Sequence, residues 1–171
     1  MKKSAFTLIE LVISIVILSI LMLFLYKSYA GLNKSNMIFL EEVEKISASQ
    51  LLKKTIYLDF ASAVSRSVSV LDQSQREDVV FLQTTNSIHK RINPYVAYLV
   101  KDKVLYRLES LKPFKEYPLV ADSEFVSDRL GEVKSFRVYA SKAEKQELYL
   151  VHILFTQRDE ILLKVNVLNS L

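Results

Sequence analysis

The sequence predicts an α+β protein in which one long N-terminal helix packs on an antiparallel β-sheet. Three observations carry that expectation. A dense apolar run fills Phe6 to Tyr26, an apolar stripe with helical spacing follows it, and segments rich in Val, Ile, Tyr and Phe occupy the remainder. The 171 residues suffice for one modest domain with a real core. With no Cys there is neither a disulfide framework nor a thiolate metal site. Two His (His89 and His152) do not make a zinc site without carboxylate help, so no metal or other cofactor is expected. Two Gly and three Pro argue against Gly-rich phosphate loops and against a disordered linker protein. The formal charge of +4 permits contact with anionic surfaces without requiring it.

The first element is a membrane span. From Phe6 to Tyr26 is 21 residues, or roughly 31 Å of helix at 1.5 Å per residue, which matches a bilayer's hydrocarbon core. Lys2 and Lys3 precede the run and predict a cytoplasmic N-terminus, with the chain after Lys27 outside. Three readings compete for this segment. Ser28-Tyr29-Ala30 resembles a signal-peptidase site, but the apolar run exceeds the usual h-region and Lys27 interrupts the approach. A plain signal anchor explains the length and the lysines but leaves Glu10 without a purpose. An ionisable residue inside a span carries a desolvation cost, and such residues are usually paired or functional. No cation lies on the same helix face near Glu10, although its position at the membrane edge allows some snorkelling.

A third reading answers for Glu10. Lys2-Lys3-Ser4-Ala5 followed by Phe6-Thr7-Leu8-Ile9-Glu10 resembles the processing motif of type IV prepilins and type II secretion pseudopilins. The resemblance implies that a prepilin peptidase cuts between Ala5 and Phe6 and that Phe6 becomes the N-methylated first residue. Its new amine would pair with Glu10 of a neighbouring subunit within lipid, a buried pair that sets register more reliably than it adds stability. Ala5 stands where the family usually carries Gly. Helical pilins of the family often have a Pro near the outer end of the span, whereas here no Pro occurs before Pro94. That pattern fits pseudopilins and minor pilins better than major pilins.

Beyond the membrane the helix is expected to continue to about Tyr57. Leu32, Phe39, Val43 and Ile46 form an apolar stripe, with Glu41, Glu42, Glu44 and Lys45 largely on the other side. Leu51, Leu52, Ile56 and Phe60 prolong it toward the domain, and the whole stripe is expected to pack on the domain's own sheet. Strands are expected at Val79–Leu82, Tyr95–Val100, Val104–Leu108, Val133–Ala140, Leu148–Thr156 and Ile161–Leu168. Lys101-Asp102-Lys103 and Gln157-Arg158-Asp159-Glu160 read as hairpin turns, and Asp72–Asp78 and Pro113–Glu124 as loops. Leu58-Asp59-Phe60-Ala61-Ser62-Ala63, the hairpin from Tyr98 to Arg107 and the closing strand from Lys164 to Asn169 are similar to J-type minor pseudopilins and related minor pilins.

Candidate chemistry is sparse. His89-Lys90-Arg91 and Lys53-Lys54 are small basic clusters without an aromatic platform, so solvated surface is preferred to nucleic-acid binding. His152 sits within a strand and reads as a satisfied sheet residue. Asp72, Glu77 and Asp78 lack the spacing of a calcium cage, and Ser62, Ser65, Ser67 and Ser69 have no partner arrangement for a nucleophile. Tyr95, Tyr98, Tyr106 and Tyr139 suit either core or partner surface. No catalytic centre is visible and no enzyme is expected.

The expected organisation is a removable leader at 1–5, a membrane helix at 6–26, an exported amphipathic helix at 27–60 and a β-rich domain at 61–171. The resemblance implies a minor pilin or pseudopilin, a structural subunit of a type IV pilus-like or type II secretion filament. It would sit as a single span in the bacterial inner membrane with its C-terminal domain exported. Its partners would be other pilins or pseudopilins, the prepilin peptidase and an inner-membrane assembly platform. The alternative is a membrane-anchored binding module whose domain recognises DNA, secretion cargo or an adhesion target.

Overall fold

The computed structural model describes residues 7–74, 76–114, 117–119, 124–143 and 146–168. Helix α1 runs from Leu8 to Ala61. Seven strands follow: β1 (Ser69–Ser74), β2 (Glu77–Gln83), β3 (Tyr95–Lys101), β4 (Val104–Ser110), β5 (Phe125–Ala143), β6 (Gln146–Phe155) and β7 (Ile161–Asn166). They form one sheet in sequence order, each strand antiparallel to the next. The expected α+β class is therefore correct. The chain divides into two compact units, residues 1–48 and residues 49–171.

In the first unit, α1 is a regular helix whose apolar side chains are exposed, from Leu8 at 82% to Val43 at 40%. It is long and apolar enough to cross a membrane. The expected packing of the stripe on the sheet holds for Leu52, Ile56 and Phe60 in the second unit. Leu32, Phe39, Val43 and Ile46 are all exposed, and so is Leu51 in the second unit. Within the second unit the end of the helix is buried at Leu52, Ile56, Asp59, Phe60 and Ala61, against the apolar face of the sheet.

In the second unit, that face also collects Val80, Leu82, Val96, Tyr98, Phe136, Val151, Ile153 and Val165 around the helix end. Phe60 stacks on Tyr98 and tilts against Tyr149. A smaller cluster on the opposite face holds Val79, Ala97, Leu99 and Leu108, covered in part by Phe114, Tyr117 and Leu119. The expected loop around Pro113 thus acts as a cover.

Both expected hairpin turns are present. Lys101 pairs with Val104 across Asp102 and Lys103, which have φ of 52° and 62°. Two positive φ values in a two-residue loop are the geometry whose twist matches that of the strands it joins. The segment 72–78, expected as a loop, is instead the β1–β2 hairpin, with Asp72 opposite Asp78 and Ser74 opposite Glu77. β1 is an exposed edge strand whose second half is wholly polar, so it lacks the apolar content that marks a buried one.

Strand β5 is longer than expected because it serves two partners. Its first half pairs with β4 as far as Glu132 and its second half pairs with β6 from Val133. Irregular register at Leu105/Tyr106 and at Val133/Ser135 marks the change of partner. Gly131, with φ of 139°, lies against the ring of Phe155, where a Cβ would stand 3.3 Å from the ring edge. The bend brings β5 back to β2, where Glu77 bridges Phe136 and the Phe136 N–H donates to the Arg76 carbonyl.

Candidate functional site

Two arrangements carry polar chemistry, one in each unit. In the first, Thr7 precedes α1 and Glu10 lies in its first turn. The Thr7 N–H and Oγ–H both donate to Glu10 Oε2, at 2.9 and 2.8 Å. This is the reciprocal half of a capping box, in which an acid three residues on satisfies the N-cap backbone donor. Among the described residues no cation contacts Glu10. Ser14 and Ser19 donate their hydroxyls to the carbonyls of Glu10 and Ile15, each at 2.8 Å. Such i−4 bonds let a hydroxyl sit in an apolar helix without an unmet donor. The expected cleavage and methylation residues, Ala5 and Phe6, lie outside the described residues.

The second arrangement is a buried ionic cluster at the end of α1. Asp59, Arg107 and Glu109 are fully buried, as is Tyr98. Arg107 clasps Asp59 with Nε at 2.7 Å and a terminal nitrogen at 3.2 Å, and reaches Glu109 at 2.6 Å with the other. Tyr98 Oη and Asn86 Nδ2 donate to the two oxygens of Asp59. Ser87 Oγ and the Ile88 N–H complete Glu109. At the margin, Asp128 lies 3.6 Å from Arg107 and 2.9 Å from His89 Nε2. The helix end, β3, β4 and the β2–β3 connection are thereby held to one guanidinium.

Burial works against the Arg107 charge, yet its bonds to Asp59 and Glu109 outweigh that and hold its pKa above the ordinary value. Glu109 shows the mirror case: burial pushes it up, but Ser87 and Arg107 bring it below the usual carboxylate range. Burial, with Asp59 alongside, raises the Tyr98 hydroxyl well above its ordinary value, so it remains a donor. Every buried charge has partners, which is the condition under which such a cluster is tolerated.

A second ionic seam closes β5 on the β1–β2 hairpin. Arg137 lies 3.1 Å from Asp72 and 3.2 Å from Asp78, and Asp78 Oδ2 accepts the Val138 N–H at 2.7 Å. Burial raises the pKa of Asp78 despite that bond and Arg137. Two of the acids weighed for calcium, Asp72 and Asp78, are therefore occupied by an arginine. His152 pairs with Glu160 at 2.6 Å, a satisfied sheet residue as expected. Ser62 and Ser67 are hydrogen-bonded to local backbone, Ser62 also to Thr84. Of the four tyrosines, Tyr98 is core and Tyr139 is 51% exposed.

Sequence reasoning missed Thr7 as the partner of Glu10, although the Thr-x-x-Glu spacing was there to read. It also missed Asp59, whose signal was an acid placed between Ile56 and Phe60 on an apolar helix face. Arg107 and Arg137 lay within strand-like segments with nothing to mark their partners.

Residues 1–26 match the model of the prokaryotic N-terminal methylation motif, the prepilin-type motif of type IV pilin-like and pseudopilin-like subunits. No curated protein and no solved structure matches the chain. The motif marks structural subunits rather than enzymes, and it fits a single-pass inner-membrane anchor.

Proposed function

We propose that the chain is a minor pilin or pseudopilin, a structural subunit cut between Ala5 and Phe6 and built into a filament through α1. The observation that carries this reading is the methylation motif over residues 1–26, placed at the head of a helix that is apolar enough to span a bilayer. Residues 1–5 would be the removed leader, 6–26 the span, 27–60 the exported helix and 61–171 the exported domain.

Cleavage would create a positive amine on Phe6, four residues before Glu10. In lipid an unpaired carboxylate is costly, and so is an unpaired ammonium. Among the described residues Glu10 is held by Thr7 alone, which supplies hydrogen bonds but no countercharge. A neighbour's Phe6 amine supplies that charge, and the geometry it demands fixes the stagger between adjacent helices. The exposed Leu32, Phe39, Val43 and Ile46 would then be covered by neighbouring subunits instead of by the chain's own sheet. Other pilins, the prepilin peptidase and an inner-membrane assembly platform are the partners this requires.

Glu10→Val tests the pairing. It should leave membrane insertion intact and reduce cross-linking to other pilin-like subunits at least tenfold. Unchanged cross-linking in that variant would contradict the intersubunit pair.

A further inference from the structure

The connection from β2 to β3 is fastened far beyond what joining two strands needs. Its base is closed by the Thr84 N–H on the Pro94 carbonyl at 3.1 Å. Asn86 binds Asp59, Ser87 and the Ile88 N–H bind Glu109, and His89 binds Asp128. The Arg91 N–H donates to Ser87 Oγ at 2.7 Å, and its guanidinium donates to the Glu109 carbonyl at 3.0 Å. Lys90 and Asn93 hold φ of 59° and 47°, a left-handed conformation that non-glycine residues adopt at a cost. The buried charge cluster and two unfavourable backbone conformations therefore fix one loop shape.

That shape presents apolar side chains to solvent. Ile92 is 85% exposed and Ile88 is 46% exposed at a turn where small polar residues would serve equally well. Lys90, between them in the sequence, is exposed and has no carboxylate partner among the described residues. Because Tyr95 pairs with Ser110, the residues after β4 emerge at the same end of the sheet. There Leu111 is 64% exposed and Lys112 lies 4.0 Å from Glu124.

We infer that the 86–93 loop is a docking tip for a protein partner whose surface offers an apolar cleft rimmed by carboxylates. Ile92 and Ile88 enter the cleft, and Lys90 meets the acidic rim. A loop already rigid in the free chain loses little entropy on binding, which is how a small contact gains affinity. The charge of Lys90 selects an acidic surface and disfavours basic ones. An anionic bilayer fits less well. Lipid-binding patches gather about four to eight free basic residues, whereas here Arg91 is engaged by Glu109 and Lys112 sits beside Glu124. This inference concerns the domain alone and does not depend on the filament reading.

The test is photo-cross-linking in cells that produce the full-length chain, with p-benzoylphenylalanine introduced at Ile92 and, as control, at the exposed Leu162. A discrete adduct with a different protein is expected from position 92 and not from 162. Mapping should place the link beside an apolar segment flanked by Asp or Glu. Lys90→Glu should lower the adduct yield at least tenfold and Lys90→Arg should preserve it. Both variants should leave the urea midpoint of the chain in detergent unchanged. Lipid adducts, an adduct to a second copy of this chain, an adduct indifferent to Lys90→Glu, or none at all would overturn the inference.

Discussion

Residues 7–48 and residues 49–168 satisfy their side chains in different ways. In the first region every polar bond is local: Thr7 to Glu10, Ser14 to Glu10, Ser19 to Ile15, and Lys45 to Glu41 and Glu42. Its apolar side chains are exposed along the whole length. In the second region, charges are answered across long stretches of sequence, Arg107 by Asp59 and Arg137 by Asp72. Helical hydrogen bonding alone stabilises a helix only marginally in water, and under the proposed filament reading lipid and neighbouring chains would support the first region. The second carries its own core. Conservative substitutions should therefore have different consequences in the two: loss of folding in one, loss of association in the other.

The largest effect is expected at Arg107. Arg107→Leu leaves Asp59 and Glu109 buried without their cation and should cost about 3–5 kcal/mol, read as a fall in the urea midpoint of the chain in detergent. A midpoint unchanged would mean that the cluster is not holding the helix end to the sheet. Glu109→Gln should cost less, about 2 kcal/mol at pH 7, and its deficit should depend on pH. The folded-state pKa of Glu109 lies below the ordinary value, so its contribution is present above about pH 4.3 and fades as pH falls through the lowered value. The gap between variant and parent should close in acid. Asp78, raised by burial, has the opposite sign: its contribution is fullest below about pH 3.9 and declines as pH rises through the raised value. Asp78→Asn should therefore be most damaging, relative to the parent, at the acid end of the titration.

Smaller effects on folding are expected in the first region. Phe39→Ser and Val43→Ser should shift the urea midpoint by no more than about 0.5 kcal/mol, while lowering cross-linking to neighbouring subunits severalfold. A large loss of folding stability would show that these side chains pack within the chain. Thr7→Val removes the N-cap hydroxyl and should cost no more than about 1 kcal/mol, seen as faster amide exchange in the first turn of α1 and nowhere else.

Much of the fold was legible because it rests on local signals. The apolar run, the absence of Pro before Pro94, the Asp102-Lys103 turn and the Val, Ile, Tyr and Phe enrichment of β3, β4, β6 and β7 each declare their element without reference to distant residues. What was not legible depends on which distant residues meet. The stripe at Leu32, Phe39, Val43 and Ile46 was correctly read as one helix face, but periodicity does not say what covers a face. β1 was read as loop because an edge strand needs little apolar content. The Asp59–Arg107–Glu109 cluster links residues that are 48 positions apart and 2 positions apart, and only the first of these separations creates the burial. The motif at Lys2 to Glu10 was readable because its meaning lies in short spacing, and the Thr-x-x-Glu spacing of Thr7 and Glu10, missed in that reading, is legible for the same reason.

The filament reading stands or falls on the mature N-terminus. Mass spectrometry of the protein purified from membranes of cells with an active prepilin peptidase should find a chain that begins with N-methyl-Phe6. A chain that still begins at Met1, or one that starts at Gly31, would contradict it.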